Sequence, residues 1–134
     1  MDEIRFHRPE GLVISPAFSH AASIPPGATV IHVGGQNAVD ATGALVGGDD
    51  IAAQVRQVMR NAELALAAAG ARISDVVSWS IFFVEGVDLA AAYAAASSFF
   101  DPDRDPPLVT GARVAGLAVP GALVEVSAIA AVVR

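Results

Sequence analysis

The chain has 134 residues, of which 54% are hydrophobic and 6% aromatic, and its formal net charge is −6. This length fits one domain with a sizeable core, and no apolar stretch approaches the roughly 18 residues that span a bilayer. The N-terminal residues mix both charges and lack an apolar centre, so no secretory signal is predicted. We therefore expect a single cytoplasmic domain over residues 1–134, with no membrane partner.

The composition also excludes several kinds of chemistry. There is no cysteine, which rules out disulfides, thiolate nucleophiles and cysteine-based metal sites. The eight basic residues are scattered, whereas nucleic-acid phosphates are bound by clustered Lys and Arg. The histidines and carboxylates do not have the spacing of metal ligands. We therefore expect no nucleic-acid partner, no metal and no cofactor.

The first half of the chain predicts a strand, a turn and a long helix. Residues 30–33 alternate as in a strand and stop at a pair of glycines. Residues 40–43 are typical of a turn, and Asp49 or Asp50 then stands where a helix N-cap is needed. Apolar residues recur at helical spacing over 51–69, and the glycine that follows ends the helix.

The second half predicts a strand over 75–85, an amphipathic helix over 89–100, and strands over 108–116 and 123–133. The expected order is β-β-α-β-α-β-β, with a further short strand near Val13. This order predicts an α+β fold in which one mixed sheet carries two helices on one face.

The last predicted strand contains a single carboxylate. Glu125 and Ser127 lie on one side of this strand, because strand side chains alternate. The other side is wholly aliphatic and consists of Val124, Val126, Ala128, Ala130 and Val132. A carboxylate in so apolar a strand is exposed, paired or functional.

The aliphatic side of this strand also bears on assembly. If two helices cover one face of the sheet, the other, aliphatic face needs cover from neighbouring copies. Together with the resemblance below, this predicts a homotrimer.

Five features of the chain occur together in one known family. They are the glycine-glutamine pair at 35–36, the Gln54 and Asn61 pair, the stretch AAGARISDVV, the proline pair at 106–107 and the ending VEVSAIA over 124–130. In this order, from about residue 18 to residue 130, they resemble the RidA/YjgF family of reactive-imine deaminases. The resemblance implies a chorismate-mutase-like α+β fold, and a homotrimer with clefts for a small-molecule substrate between neighbouring subunits.

The resemblance also implies a reaction, the hydrolysis of a small imine or enamine metabolite with release of ammonia. Glu125 matches the family glutamate that positions or activates the attacking water. Val109 stands where deaminating members place an arginine that clamps the substrate carboxylate, a task that suits a bidentate guanidinium. The chain is therefore a divergent member. The alternative is a non-catalytic trimer that binds a small metabolite or a regulatory protein partner, while a nuclease reading conflicts with the negative charge.

The other family positions in the cleft are only partly kept. The family's Ser-Gly-Gln corresponds here to Gly34, Gly35 and Gln36, and its aromatic hydroxyl falls on Phe18, which has none. Glycine lets a ligand approach the backbone closely, although Gly35 could equally serve a bulge or a tight turn.

The sequence leaves alternative roles for Arg113 and for two histidines. Arg113 lies four residues beyond Val109, so it shares that face but stands about 13 Å further along the strand. It could meet another part of the cleft or pair with a glutamate on the neighbouring strand. His32 shares the face of Gly34 and has either a functional or a structural role, and His20 is equally undecided. The Gln54 and Asn61 pair is interpreted as capping or interface hydrogen bonds.

Overall fold

The fold is given by a computed structural model that describes residues 2–134. Its strands are β1 (Arg5–His7), β2 (Ala21–Ser23), β3 (Thr29–Gln36), β4 (Val76–Val84), β5 (Leu108–Val114) and β6 (Val124–Val132). Its helices are α1 (Ile51–Ala68) and α2 (Leu89–Ala96), and short 3-10 turns follow at Ile73–Asp75 and Ser97–Phe99. None of the helices in the described chain is long and apolar enough to cross a membrane.

The central sheet has four strands in the order β3-β6-β4-β5. Strands β4 and β5 are parallel, because α2 carries the chain back between them, and the other neighbours are antiparallel. The predicted mixed sheet in an α+β fold is confirmed. Strands β1 and β2 form a separate antiparallel pair.

Helix α1 begins and ends where the local signals predict. The Asp50 side chain accepts hydrogen bonds from the backbone nitrogens of Ala52 and Ala53, at 3.0 and 3.3 Å. After the last turn, Gly70 adopts a φ of 80°, which glycine tolerates without strain. The apolar stripe of the helix is buried and consists of Val55, Val58, Met59, Ala62 and Leu66.

Both helices lie on one side of the sheet, which we call the helix face; the opposite side is the open face. The helix face is the core: Val33, Trp79, Phe83, Val124, Val126 and Ala128 are each at most 6% exposed. The aliphatic side of β6 is therefore already covered within one chain. The expectation that an uncovered aliphatic face demands neighbouring copies is wrong, since Glu125 and Ser127 lie on the open face instead.

Two amides on α1 hold the loops around it. Gln54 is fully buried, and its Nε2 donates to the carbonyls of Gly48 and Gly121 at 2.7 and 3.0 Å. Its Oε1 accepts from the backbone nitrogen of Leu123 at 2.8 Å. Asn61 donates to the carbonyls of residues 37 and 39 at 3.0 and 2.9 Å. These are hydrogen bonds to loop backbone rather than helix caps, and the alternative of interface hydrogen bonds for this pair stays a prediction.

A predicted short strand and the end of a helix differ most clearly from the sequence prediction. Val13 lies outside any strand, and its carbonyl accepts a 2.6 Å hydrogen bond from His20 Nε2. The short strands are β1 and β2, whose three residues each are too few to produce a periodic signal. Helix α2 ends at Ala96 rather than 100, and the Ser97 hydroxyl donates to the carbonyl of Ala94, a local bond that competes with helical pairing.

Candidate functional site

On the open face, Gly35 lies against the Glu125 side chain. The pairing of β3 with β6 shifts register between Val33 and Gln36, which is the bulge foreseen at the glycines. A Cβ added to Gly35 would lie 3.0 Å from Glu125 Cδ and 3.2 and 3.3 Å from its two oxygens. Gly35 does not have a positive φ, so glycine is needed there for space rather than for backbone conformation.

The residues on either side of Gly35 differ in their surroundings. A Cβ on Gly34 would meet nothing within 4 Å, so the backbone there is open to an approaching molecule. The Gln36 amide donates back to the Gly34 carbonyl at 3.1 Å, which fixes its side chain against the strand. Gly34 and Gly35 thus lie beside Glu125 on the open face, and the Gln36 side chain is held against the same strand.

The Glu125 carboxylate is half-buried and makes no hydrogen bond or ion pair with any residue in 2–134. Its direct neighbour on β4 is Phe82, and Ser127 lies opposite Ser80. A carboxylate in this position keeps its lone pairs for water or a ligand. Glu125 is therefore an acidic group of the open face without a protein partner in residues 2–134.

Further along the open face lies a small polar hollow of about 190 Å³. It is lined by His32, Ser78, Ser80, Ser127 and Ile129, among others. The two β4 serines were missed from the sequence. Their alternation with Trp79 in the stretch VSWSI was the available signal, since it places both on the face opposite the indole. His32 is exposed beside them, which agrees with its expected place on the face of the glycines.

Val109 lies on the helix face, not with Glu125. It is paired in register with Trp79, and Trp79 is paired with the buried Ala128 of β6. Register partners point to the same side of a sheet, whereas Glu125 is three residues from Ala128 and points to the other. The sheet itself therefore separates the expected clamp position from the carboxylate.

Phe18 lies on the same side as Val109, and both line a large apolar pocket between the sheet and α2. The segment of Phe18 is tied to the proline pair: Ser19 donates from its backbone nitrogen to the Pro107 carbonyl at 3.0 Å and from its hydroxyl to Pro106 at 2.6 Å. The Phe18 ring packs edge-on against His20 at 5.5 Å. With its Nε2 bonded to Val13, His20 has a structural role here.

Arg113 shares the helix face with Val109, as its spacing predicts, but does not line that pocket. Its Nη1 donates to the carbonyl of Val87 at 3.4 Å, and it forms no ion pair with an acid in residues 2–134. The expected pairing with a glutamate on the neighbouring strand is wrong, since Arg113 bonds the Val87 carbonyl instead, and Glu125 lies on β6, which β4 separates from β5. The other expectation, contact with a further part of a cleft, stays a prediction.

The candidate site residues therefore form two groups. Glu125, Gly34 and Gly35 border the open face, whereas Phe18 and Val109 border the helix face. Side chains on opposite faces of one sheet cannot contact the same small molecule within a single chain. A site that contains both groups needs a second copy of the chain.

Solved structures define the class of protein to which this fold and site belong. The Rid family protein YyfB of Yersinia pestis, described as of unknown function, is 34% identical; the match covers 98% of this chain and 100% of that one, with a TM-score of 0.85. The YjgF gene product of E. coli is 30% identical over 80% of this chain and 83% of its own, with a TM-score of 0.68. Rv2704 of Mycobacterium tuberculosis, a member of the YjgF/YER057c/UK114 family, is 32% identical over 85% and 86%, with a TM-score of 0.64.

The fold is thus that of a Rid-type α+β protein. A match to a family model then assigns the chain to a family. The model described as endoribonuclease L-PSP matches residues 14–132, nearly the whole chain. This chain belongs to that family, which is the Rid/YjgF family of the similar structures. No curated protein matches it.

Proposed function

We propose that this protein hydrolyses a small imine or enamine to a carbonyl compound and ammonia. It would act as a homotrimer, with the open face around Glu125 of one copy and the Val109 side of a neighbouring copy lining one cleft. Membership of the Rid/YjgF family and the division of the site residues between two faces support this arrangement.

The observation that carries the proposal is the Glu125 carboxylate, which has no hydrogen-bond partner in residues 2–134 and lies against the bare backbone of Gly35. A carboxylate with unoccupied lone pairs can accept a proton from water. The resulting oxygen attacks the C=N carbon, and Glu125 returns the proton to the nitrogen. Glu125 then takes the hydroxyl proton of this carbinolamine and passes it to the nitrogen, so that C=O forms as the C–N bond breaks and ammonia leaves. Water and imine together balance the products.

The substrate that fits this chain lacks the carboxylate of a 2-imino acid. Val109 offers no charge to such a group, and Arg113 is directed to the Val87 carbonyl outside the pocket that Val109 lines. A carboxylate held against valine would lose its hydration without gaining a charge-assisted partner. We therefore expect imines formed from simple amines to be preferred over those formed from amino acids.

The test compares two imine sources with the purified protein. An amine oxidase acting on 2-phenylethylamine supplies an imine without a carboxylate, and an amino-acid oxidase acting on phenylalanine supplies the 2-imino acid with the same side chain. Loss of the imine is followed with and without the protein, using trapping by semicarbazide. Acceleration of the first reaction above the second is expected.

Glu125→Gln removes the proton acceptor at constant size, and Glu85→Gln is the matched control because Glu85 is exposed in the turn after β4. The first variant should lose most of the acceleration and the second should keep it. Equal activity of Glu125→Gln and the unmodified protein would refute the catalytic role and leave the trimer as a binding protein.

A further inference from the structure

Strand β5 has an open space on the helix face, above the residue that lies between Val109 and Arg113. These two residues and Gly111 share this face, because side chains alternate along a strand and their partners on β4 lie on the core side. A Cβ built on Gly111 would have the Ile81 carbonyl oxygen and the Tyr93 hydroxyl as its nearest neighbours, each 4.0 Å away. Gly111 is exposed and has no positive φ, so the glycine leaves room rather than backbone freedom. We call this space the Gly111 notch.

The hydroxyl of Tyr93, on α2, borders the notch on one side. The Tyr93 ring packs edge-on against Phe83 with the ring centroids 6.0 Å apart, and Phe83 is the register partner of Arg113. Tyr93 is 50% exposed, and its hydroxyl makes no hydrogen bond with a residue in 2–134. A phenol hydroxyl donates one hydrogen bond and also accepts. Since Tyr93 also lines the apolar pocket that Val109 lines, it stands where that pocket meets the notch.

The guanidinium of Arg113 borders the notch on the other side. Arg113 follows Gly111 by two residues, about 6.6 Å along the strand. It is exposed, and its 3.4 Å hydrogen bond to the Val87 carbonyl is longer than the usual limit of about 3.2 Å. The nearby Asp88 caps α2 by accepting from the Ala91 nitrogen, and Arg113 forms no ion pair within residues 2–134. The other N–H donors of this guanidinium are therefore free for a ligand.

A guanidinium and a phenol hydroxyl beside an exposed gap are suited to a carboxylate. The guanidinium offers paired donors in the geometry of a carboxylate, and such charge-assisted bonds are stronger than neutral ones. The notch is exposed, so a carboxylate there keeps part of its hydration, unlike one held against Val109 in the apolar pocket. The shift of about 6.6 Å from Val109 to Gly111 corresponds to roughly four or five carbon–carbon bonds of an extended chain.

We propose that the Gly111 notch binds the carboxylate of a substrate whose imine carbon lies roughly four or five bonds away. Arg113 would supply paired N–H donors and Tyr93 a single hydroxyl, so both determine specificity without touching the reacting bond. The class of substrate is the imine of an unbranched ω-amino acid, which differs from a 2-imino acid in the distance between the two groups. This proposal rests on the proposed function in taking the Val109 side as the place of the substrate.

Two isomeric keto acids test the distance without turnover. The probes are 5-oxohexanoate and 2-oxohexanoate, which have the same formula and charge but differ in the separation of the carbonyl group and the carboxylate. Isothermal titration calorimetry should give a Kd for 5-oxohexanoate that is roughly tenfold or more below that of the isomer. Equal Kd values, tighter binding of 2-oxohexanoate, or no saturable binding of 5-oxohexanoate would overturn the proposal.

Two arginine variants test the location. Arg113→Gln should weaken binding of 5-oxohexanoate by roughly tenfold and leave binding of the uncharged hexan-2-one unchanged. Arg60→Gln is the matched control, since it removes the same charge from an exposed position of α1 that does not line the pocket. Equal losses in the two variants would show that overall charge governs binding, and would refute the notch.

The hydroxyl is tested by Tyr93→Phe, which should weaken 5-oxohexanoate by roughly three- to tenfold, and an unchanged Kd would exclude Tyr93 from the site. Gly111→Val should fill the notch and abolish the preference between the isomers, with circular dichroism confirming that the variant is folded. A preserved preference in the folded variant would contradict the location, and if the variant does not fold, the two arginine variants decide.

A last comparison separates the notch from the catalytic proposal. Glu125→Gln changes the opposite face of the sheet and should bind 5-oxohexanoate like the unmodified protein. Absence of imine turnover with an intact preference between the isomers would count against the catalytic proposal alone. Turnover without any such preference would count against the notch alone.

Discussion

The Glu125 carboxylate lies directly over Gly35, so closely that a methyl group on Gly35 would stand 3.0 Å from the carboxyl carbon. The contact joins two strands that are far apart in sequence and adjacent in the sheet. Position 35 is glycine because a larger residue would collide with the carboxylate. The position of the carboxylate therefore depends on the residue at position 35.

Gly35→Ala should therefore reduce activity more than stability. The carboxylate is the far end of a flexible side chain and can move aside, so the loss of stability should stay near or below about 1 kcal/mol. A displacement of a catalytic group by about 1 Å can cost on the order of 100-fold in rate. Urea denaturation and imine turnover measure the two effects. Gly34→Ala is the control for stability, because a Cβ at position 34 has no neighbour within 4 Å. Full turnover by the Gly35→Ala variant would contradict the positioning role.

Val109→Arg should increase turnover of 2-imino acids, by roughly tenfold or more, because a guanidinium can bind the substrate carboxylate with charge-assisted hydrogen bonds. Val109→Gln is the matched control, since it adds polar reach without charge. The measurement is kcat/KM for the phenylalanine-derived imine. Equal gains in the arginine and glutamine variants would show that polarity rather than charge was lacking.

Gln54→Leu should destabilise the fold by about 2–4 kcal/mol. The substitution removes three part-buried hydrogen bonds of a fully buried side chain, which link it to the carbonyls of Gly48 and Gly121 and to the backbone nitrogen of Leu123. Gln57→Leu on the same helix loses a single bond to Asn61 and should cost less than about 1 kcal/mol. Chemical denaturation compares the two, and similar losses would contradict the role given to Gln54.

The turn at Asp40 should loosen in acid. Hydrogen bonds from the Thr42 hydroxyl, and from the backbone of Thr42 and Ala44, hold the pKa of the Asp40 carboxyl below its ordinary value of 3.8. A lowered pKa means that this contribution is fully present above the ordinary value and disappears as the pH falls through the lowered one. NMR titration should show the low pKa, and Thr42→Val should move it back towards 3.8. An unchanged pKa in that variant would exclude the hydroxyl as the main cause.

The homotrimer should have three times the 13.6 kDa mass of the chain in light scattering. Phe82 is 37% exposed on the open face beside Glu125, where a neighbouring copy would cover it. Phe82→Asp should therefore weaken assembly, whereas Leu64→Asp on the exposed side of α1 should not. A monomeric mass for the unmodified protein would refute both the trimer and the shared cleft.

Much of the local structure could be predicted from the residues themselves. Helix α1 is bounded by Asp50 and Gly70, because capping and a positive φ depend on the residues at the ends and little else. The alternation in β6 also placed Glu125 opposite the aliphatic side, since side-chain direction in a strand follows sequence parity. These properties depend on short segments of sequence, so they can be predicted without knowing how the segments pack.

What alternation could not decide is which face the helices cover and which residues of different strands meet. The aliphatic side of β6 forms the core. It is already buried within one chain and does not need a second subunit to cover it. The sequence did not show that Val109 and Glu125 lie on opposite faces of the sheet, which the register of β5, β4 and β6 sets. The register between strands and the packing of α2 over the sheet depend on long-range contacts throughout the core. Only the tertiary structure could therefore place Gly35 under Glu125 and bury Trp79 in the core.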